Sequence, residues 1–180
     1  MDKKQKVFGR FIGMMDLAYC QFHVWKTLQN KAFNGVFSNY NYFWKQVSDA
    51  LLNSSTVGLT KLVEKQSKLD QEVISIFFLL EFGIENAAVV IEKLRKLRNK
   101  IIMHNDVKTI LEADNFFKEL SLNYGDIEDL FDEIIKVLDR IKQNFSNSTD
   151  FSNRYSEMKV KCEKDTINLI DKLTPGIELD

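Results

Sequence analysis

The sequence is poor in everything that breaks or staples a chain: one proline (Pro175), seven glycines and two cysteines in 180 residues. So few breakers argue against a turn-rich β fold and for helices. Cys20 and Cys162 form no CxxC pair, and Met1-Asp2-Lys3-Lys4 leads into mixed polarity rather than a secretory leader. Reduced thiols in a cytoplasmic protein are therefore expected. No stretch reaches the roughly 18 apolar residues that a membrane helix needs, since 73–82 is broken by Ser75 and Glu81. Only two histidines are present, without HExxH spacing, so neither a metal nor another cofactor is expected. Charge of one sign is missing too: 25 basic against 26 acidic residues give a net charge of −1. No global field draws such a chain onto nucleic acid, and any affinity must come from a local patch.

What is present is a helical pattern. At 44% apolar and 28% charged, 180 residues support one well-buried core. Three- and four-residue spacing of Phe8, Phe11, Ile12, Met15, Tyr19 and Phe22 predicts a first helix over 5–31. A second helix is expected over 39–52, carrying Tyr40, Phe43, Trp44, Val47 and Leu51. The polar run Asn53-Ser54-Ser55-Thr56 reads as a connector to a short helix over 57–66. A long fourth helix over 70–104 bears Ile74, Phe77, Ile84, Ile91, Leu94, Leu97 and Ile101, and a further one is expected over 111–120. After the turn Asn123-Tyr124-Gly125, Asp126 is placed to cap another long helix to about 144. A last helix covers 155–173. The expected fold is all-α, an antiparallel bundle of five to six helices. The bundle is expected over 1–145. The polar stretch NFSNSTDFSN then opens a segment, 146–180, of linker and a helix packed on the bundle or on a partner.

One compact polar signal ends the fourth helix: Arg95-Lys96-Leu97-Arg98-Asn99-Lys100-Ile101-Ile102-Met103-His104-Asn105-Asp106. An imidazole exchanges protons near neutral pH, and a guanidinium holds a phosphate. Lys93, Arg95, Lys96, Arg98 and Lys100 against Glu92 leave a local excess of four positive charges, enough to hold a nucleic-acid backbone despite the neutral whole. On an ideal helix His104 continues the apolar stripe, and Arg98 sits about 120° away from it. One straight helix therefore does not join the two side chains, and a second copy of the surface would. The plainer possibility is a helix-end histidine beside a solvated basic face. His23, among Tyr19, Phe22 and Trp25, reads as a helix histidine in an aromatic cluster.

Arg98-Asn99-Lys100 through His104-Asn105-Asp106 resembles the Arg-polar-x(3–5)-His motif of the HEPN superfamily. Upstream, the helix Tyr42-Phe43-Trp44-Lys45-Gln46-Val47, with Leu59 and Leu62 following, looks like the abortive-infection (Abi U-type) branch of that superfamily. The resemblance runs from about 40 to 140. It implies a helical bundle acting as a homodimer and a metal-independent ribonuclease of a toxin–antitoxin or phage-defence system. It further implies His104 as acid/base, Arg98 as the phosphate-binding residue and Asn99 as a polar orienting residue. Arg95, Lys96 and Lys100 would then line the RNA path, with Asp106 either turning His104 or capping the next helix. In one subgroup a Tyr two positions after the His is modified by a nucleotidyltransferase antitoxin; here that position is Asp106. A partner antitoxin, such as a nucleotidyltransferase, and RNA are the partners implied. The other class of function open to this sequence is a non-catalytic HEPN-like helical module that binds a partner protein, nucleotide or RNA.

Overall fold

A computed structural model describes residues 3–29, 41–63, 88–97, 121 and 123–173. They form α1 (Lys3–Leu28), α2 (Asn41–Leu62), α3 (Ala88–Leu97), α4 (Tyr124–Ile141), a 3₁₀ turn (Lys142–Phe145) and α5 (Phe151–Leu173). No strand occurs among the described residues, and the chain is an all-α bundle, as the periodicity predicts. The expected helix over 111–120 and both ends of the expected 70–104 helix lie outside the described residues.

The contacts give the directions. Along α1 and α2, Ala18 meets Ser55 while Gln29 meets Ser48, so the two run antiparallel. Phe22 packs on Phe131 and Phe8 on Phe145, which sets the α4 segment antiparallel to α1. Along α5 the partners of α1 rise together, Asp16 with Arg154 and Leu28 with Ile170. Those two helices are therefore parallel. The core lies between α1, α4 and α5, with Phe8, Phe11, Met15, Phe22, Phe131, Phe151 and Tyr155 buried. Leu59, Leu62 and Leu94 join it from α2 and α3.

Three boundaries depart from the sequence-based expectation. The run Asn53-Ser54-Ser55-Thr56 is not a connector, because α2 passes through it without interruption. Ser55 and Thr56 are buried. Ser55 Oγ donates to the Ala18 carbonyl at 2.8 Å, and Thr60 Oγ1 donates to that of Thr56 at 2.7 Å. Small hydroxyl residues that satisfy themselves on helix carbonyls let two helices approach closely. At Gly58 an added Cβ would stand 3.1 Å from that of Ala18. The polar residues mark a tight helix–helix seam, not a turn.

The second departure is at 144–153, where a tight corner replaces a loose linker. Ser146 takes the left-handed conformation at φ 52°, closing the 3₁₀ turn. α5 then begins at Phe151, four residues earlier than expected, because Phe151 itself is core. Asp150 caps it, accepting from the Asn153 N–H at 3.0 Å. Asp139 reaches across from α4, accepting from the Phe151 and Ser152 N–H groups and the Ser152 hydroxyl. At the start of α4, Asn123 is the cap and Asp126 its reciprocal partner three residues on, so the cap lies three residues before the expected one.

Burial alone would push the Asp139 carboxyl up. The hydrogen bonds from Ser152, Lys142 and the Phe151 and Ser152 amides outweigh it and hold its pKa at about 2. A depressed carboxylate contributes stability in full above its unfolded value near 4, and that stability fades as the pH falls toward 2. Asp139→Asn is expected to cost about 1–2 kcal/mol at pH 7, reduced by solvent screening. Relative to wild type the cost should shrink between pH 4 and pH 2 in thermal melts. A gap between the two melts that stays constant over that range would refute the linkage.

Candidate functional site

α3 is the one described helix of the basic signal, and it carries two of the expected site residues. Leu94 is fully buried, which turns the two positions after it outward. Arg95 and Lys96 are both exposed in the last turn. Arg95 Nη2 pairs with Glu92 Oε2 at 2.9 Å, one helical turn back, an exposed pair of small energetic consequence that a phosphate can displace. Lys93 Nζ donates to the Ser121 carbonyl at 2.8 Å, so this lysine ties α3 to the segment ahead of α4 instead of reaching freely into solvent. The local excess of positive charge is thus partly engaged, with Lys96 and Arg95 the cations that α3 offers outward. Arg98, Asn99, Lys100, His104 and Asp106 lie outside the described residues.

A second polar constellation, which the sequence pattern does not announce, sits where α1, α4 and α5 meet. Tyr19 and His23 are one turn apart on α1, with ring centroids 4.3 Å apart. Facing them on α4 are Glu128, Asp129 and Asp132, and on α5 Lys159; together with Phe131 they line a cleft of about 260 Å³. Glu128 is held from two sides, by Lys26 Nζ at 2.5 Å and Lys159 Nζ at 3.6 Å. Burial opposes its ionisation, but the Lys26 hydrogen bond and charge, helped by Lys159, keep the carboxyl below its ordinary range. Burial pushes the Asp132 carboxyl up, against the pull of Lys136 and Lys159. His23 is 2% exposed, and its Nδ1 has no hydrogen-bond partner.

Loss of water, reinforced by Lys159 and Lys26 and resisted by Glu128, lowers the His23 pKa to about 4. The sequence pattern predicts a helix histidine in an aromatic cluster, which the Tyr19 and Phe22 rings provide, and neutrality at pH 7 follows from its burial. The stability consequence has a definite sign. Between about pH 6.5 and 4 the unfolded chain takes up a proton that the folded ring refuses, so stability is full above that window and falls as the pH drops through it. The expected loss is about 3 kcal/mol by pH 4. In an NMR titration the His23 ring protons should stay in their neutral positions down to about pH 5. A midpoint near the unperturbed 6.5 would show that the ring is hydrated instead.

On the same helix pair, Tyr155 is fully buried beside Asp16, which pairs with Arg154 Nη2 at 2.5 Å. Burial first, and the nearby carboxylate second, raise the phenol far above its usual range. Cys20 and Cys162 are free and half-buried. Burial and its thiol neighbour push Cys162 up to about 12, which leaves it protonated and unreactive at neutral pH. Among the described residues no group of three His, Cys, Asp or Glu side chains is placed to hold a metal ion. Also among them, no helix is long and apolar enough to cross a membrane.

The geometry separates two surfaces of opposite character. The end of α3 offers cations, and the α1–α4–α5 cleft offers carboxylates. Glu128 and Asp132, four apart on α4 beside Ile127 and Phe131, are the sequence signal for the second surface, since acidic residues at that spacing border the buried stripe. No curated protein and no solved structure matches the chain significantly. The AbiU2 family model of the HEPN group matches residues 8–167, from the second turn of α1 to the last third of α5 and across the Arg98–His104 segment. The chain belongs to the AbiU2 family of HEPN proteins.

Proposed function

We propose that this chain is a metal-independent endoribonuclease of an abortive-infection or toxin–antitoxin system, working as a homodimer in which two copies of Arg98 and His104 share one cleft. The observation that carries this reading is the AbiU2 match across 8–167, which spans the Arg98-Asn99 and His104 positions. Cleavage of RNA without a metal requires a base to take the 2′-hydroxyl proton and an acid to protonate the leaving 5′-oxygen. One imidazole beside the motif does not serve both ends of the reaction at once. Two-fold symmetry supplies a second. In this scheme one His104 takes the 2′-hydroxyl proton and its symmetry mate protonates the departing 5′-oxygen. Arg98 donates two N–H groups to a non-bridging phosphate oxygen pair and stabilises the charge that develops there. Asn99 orients the phosphate or the Arg98 side chain, and Asp106 fixes the His104 ring through its second nitrogen. Arg95, Lys96 and Lys100 hold the flanking backbone. The exposure of Arg95 and Lys96 at the end of α3 supports that role.

The test is incubation of the purified protein with mixed-sequence single-stranded RNA and an equivalent DNA in excess EDTA. The expected result is RNA cut to 2′,3′-cyclic phosphate ends, with the DNA intact because it lacks the nucleophile. Cleavage of both at comparable rates would overturn the 2′-hydroxyl mechanism. Intact RNA at every protein concentration, with the dimer formed, would favour a non-catalytic binding module.

A further inference from the structure

The seam between α1 and α5 brings together the two cysteines of the chain. Cys20 lies four residues after Asp16 and three before His23 on α1, and such spacings keep side chains on one helix face. That face meets α5: Asp16 pairs with Arg154, Tyr19 touches the Tyr155 ring at 5.0 Å, and His23 lines a cleft with Lys159. Cys162 lies seven residues after Tyr155 and four before Thr166, both buried, so it shares the α5 face turned to α1. Leu28 and Ile170, each eight residues further along, pack together. Equal steps along parallel helices keep two residues level, so the sulfurs stand at one height. They also touch, with the Cys162 S–H donating to the Cys20 sulfur.

Both thiols are free and half-buried, so they are shielded from bulky reagents and within reach of a very small one. The chain has no other cysteine, and no third sulfur competes for the pairing. The two sulfurs differ in readiness to react. Burial first, and then the hydrogen bond and charge of its neighbour, push the Cys162 thiol up to about 12. It keeps its proton at neutral pH and does not attack an oxidant itself. Because that S–H is donated to Cys20, Cys20 is the sulfur placed to attack.

From this placement we propose that Cys20 and Cys162 form a redox site, which hydrogen peroxide closes into a disulfide that fastens α5 to α1. Cys20, having released its proton, attacks one peroxide oxygen. The O–O bond breaks, hydroxide leaves with that proton as water, and the sulfur becomes a sulfenic acid. The Cys162 sulfur then attacks the Cys20 sulfur, the S–O bond breaks, and the departing hydroxide takes the Cys162 proton as a second water. Two thiols and one peroxide thus give one disulfide and two waters, with the sulfurs oxidised and the peroxide oxygens reduced. Oxidation of Cys20 also removes the partner whose hydrogen bond and charge help to hold the Cys162 proton. The second thiol therefore reacts only after the first. A thiol such as glutathione reopens the bond by exchange, so the site is reversible. This inference is independent of the ribonuclease reading: it uses none of the Arg98–His104 residues and stands or falls alone.

The experiment exposes the reduced full chain to a small excess of hydrogen peroxide at pH 7 under native conditions. Intact mass, free-thiol content and thermal melting are followed. The expected product is a chain lighter by two hydrogens, free of thiol and unlinked to any other chain. Its melting temperature should rise by about 5–15 °C, because a bond from Cys20 to Cys162 closes most of the chain into a loop and restricts the unfolded state. Dithiothreitol should restore both the mass and the melt. Cys162→Ser should strand Cys20 as a sulfenic acid that dimedone traps, whereas Cys20→Ser should leave Cys162 unlabelled. The inference is overturned if the wild-type thiols survive the peroxide, or if they gain oxygen without joining. It is equally overturned if the bond forms between chains, or if the oxidised form melts no higher than the reduced one. Dimedone labelling of Cys162 in place of Cys20 would overturn it as well.

Discussion

Replacing His104 with Ala is expected to lower RNA cleavage by about 10²–10⁴-fold, the usual worth of a positioned general acid or base. Under the proposed composite site the expectation is sharper than a simple loss. In a dimer of two His104→Ala chains both the proton acceptor and the proton donor are gone, and the rate should sit at the lower end. Mixed dimers of wild-type and His104→Ala chains would keep one imidazole in each site. Their rate should fall much further than the halving expected if every chain carried its own complete site. Arg98→Ala would remove the proposed phosphate clamp and stabilisation of developing charge, an expected loss of similar size, about 10²–10³-fold. A lysine at 98 restores charge without the planar fork, so it should recover binding more than turnover. Circular dichroism and sedimentation provide the necessary controls for fold and dimer. Undiminished cleavage by either variant, with those controls unchanged, would place the chemistry elsewhere in the chain.

How legible was this molecule in its sequence? The helices were largely readable, because Phe8, Phe11, Met15, Phe22 and their counterparts Ile127, Phe131 and Ile134 repeat at helical spacing and are buried. Where the reading failed, it failed on small polar residues. Ser55 and Thr56 look like a turn by composition, yet each hydroxyl can be satisfied on or by a helix carbonyl, and Ser55 bonds to one on a different helix. Only the tertiary partner decides between the two. The same holds at 144–153, where Asp139, twelve residues upstream, supplies the bonds that start α5 at Phe151. The motif residues Arg98 and His104 were visible as a local pattern. The acidic cleft was not, since Tyr19, His23, Asp132 and Lys159 come from three helices and meet only after folding. Local pattern reveals what one helix presents, while a site shared between helices needs the packing.

That packing has a centre, and the centre is testable. Phe131 is fully buried, with the Tyr19 ring 5.2 Å away edge to face and the Phe22 ring 5.7 Å away. Truncation to Ala removes the ring from α4 where it holds α1, and the surrounding Tyr19, Phe22 and Ile134 can close the space only in part. Such cavities cost about 3–5 kcal/mol for a buried Phe, of which about 0.5–1.5 kcal/mol is the loss of an aromatic pair. Against a total stability of about 5–15 kcal/mol, this is a large fraction. For a chain of this size it lowers the melting temperature by about 6–20 °C. In urea the midpoint should fall while the slope stays constant, because the unfolded chain exposes nearly the same surface. Leu17→Ala provides the contrast: its side chain is 59% exposed on the same helix as Tyr19 and Phe22, and the change should stay within about 0.5 kcal/mol. A Phe131→Ala loss no larger than that of Leu17→Ala would show that α4 is not clamped to α1 through this ring.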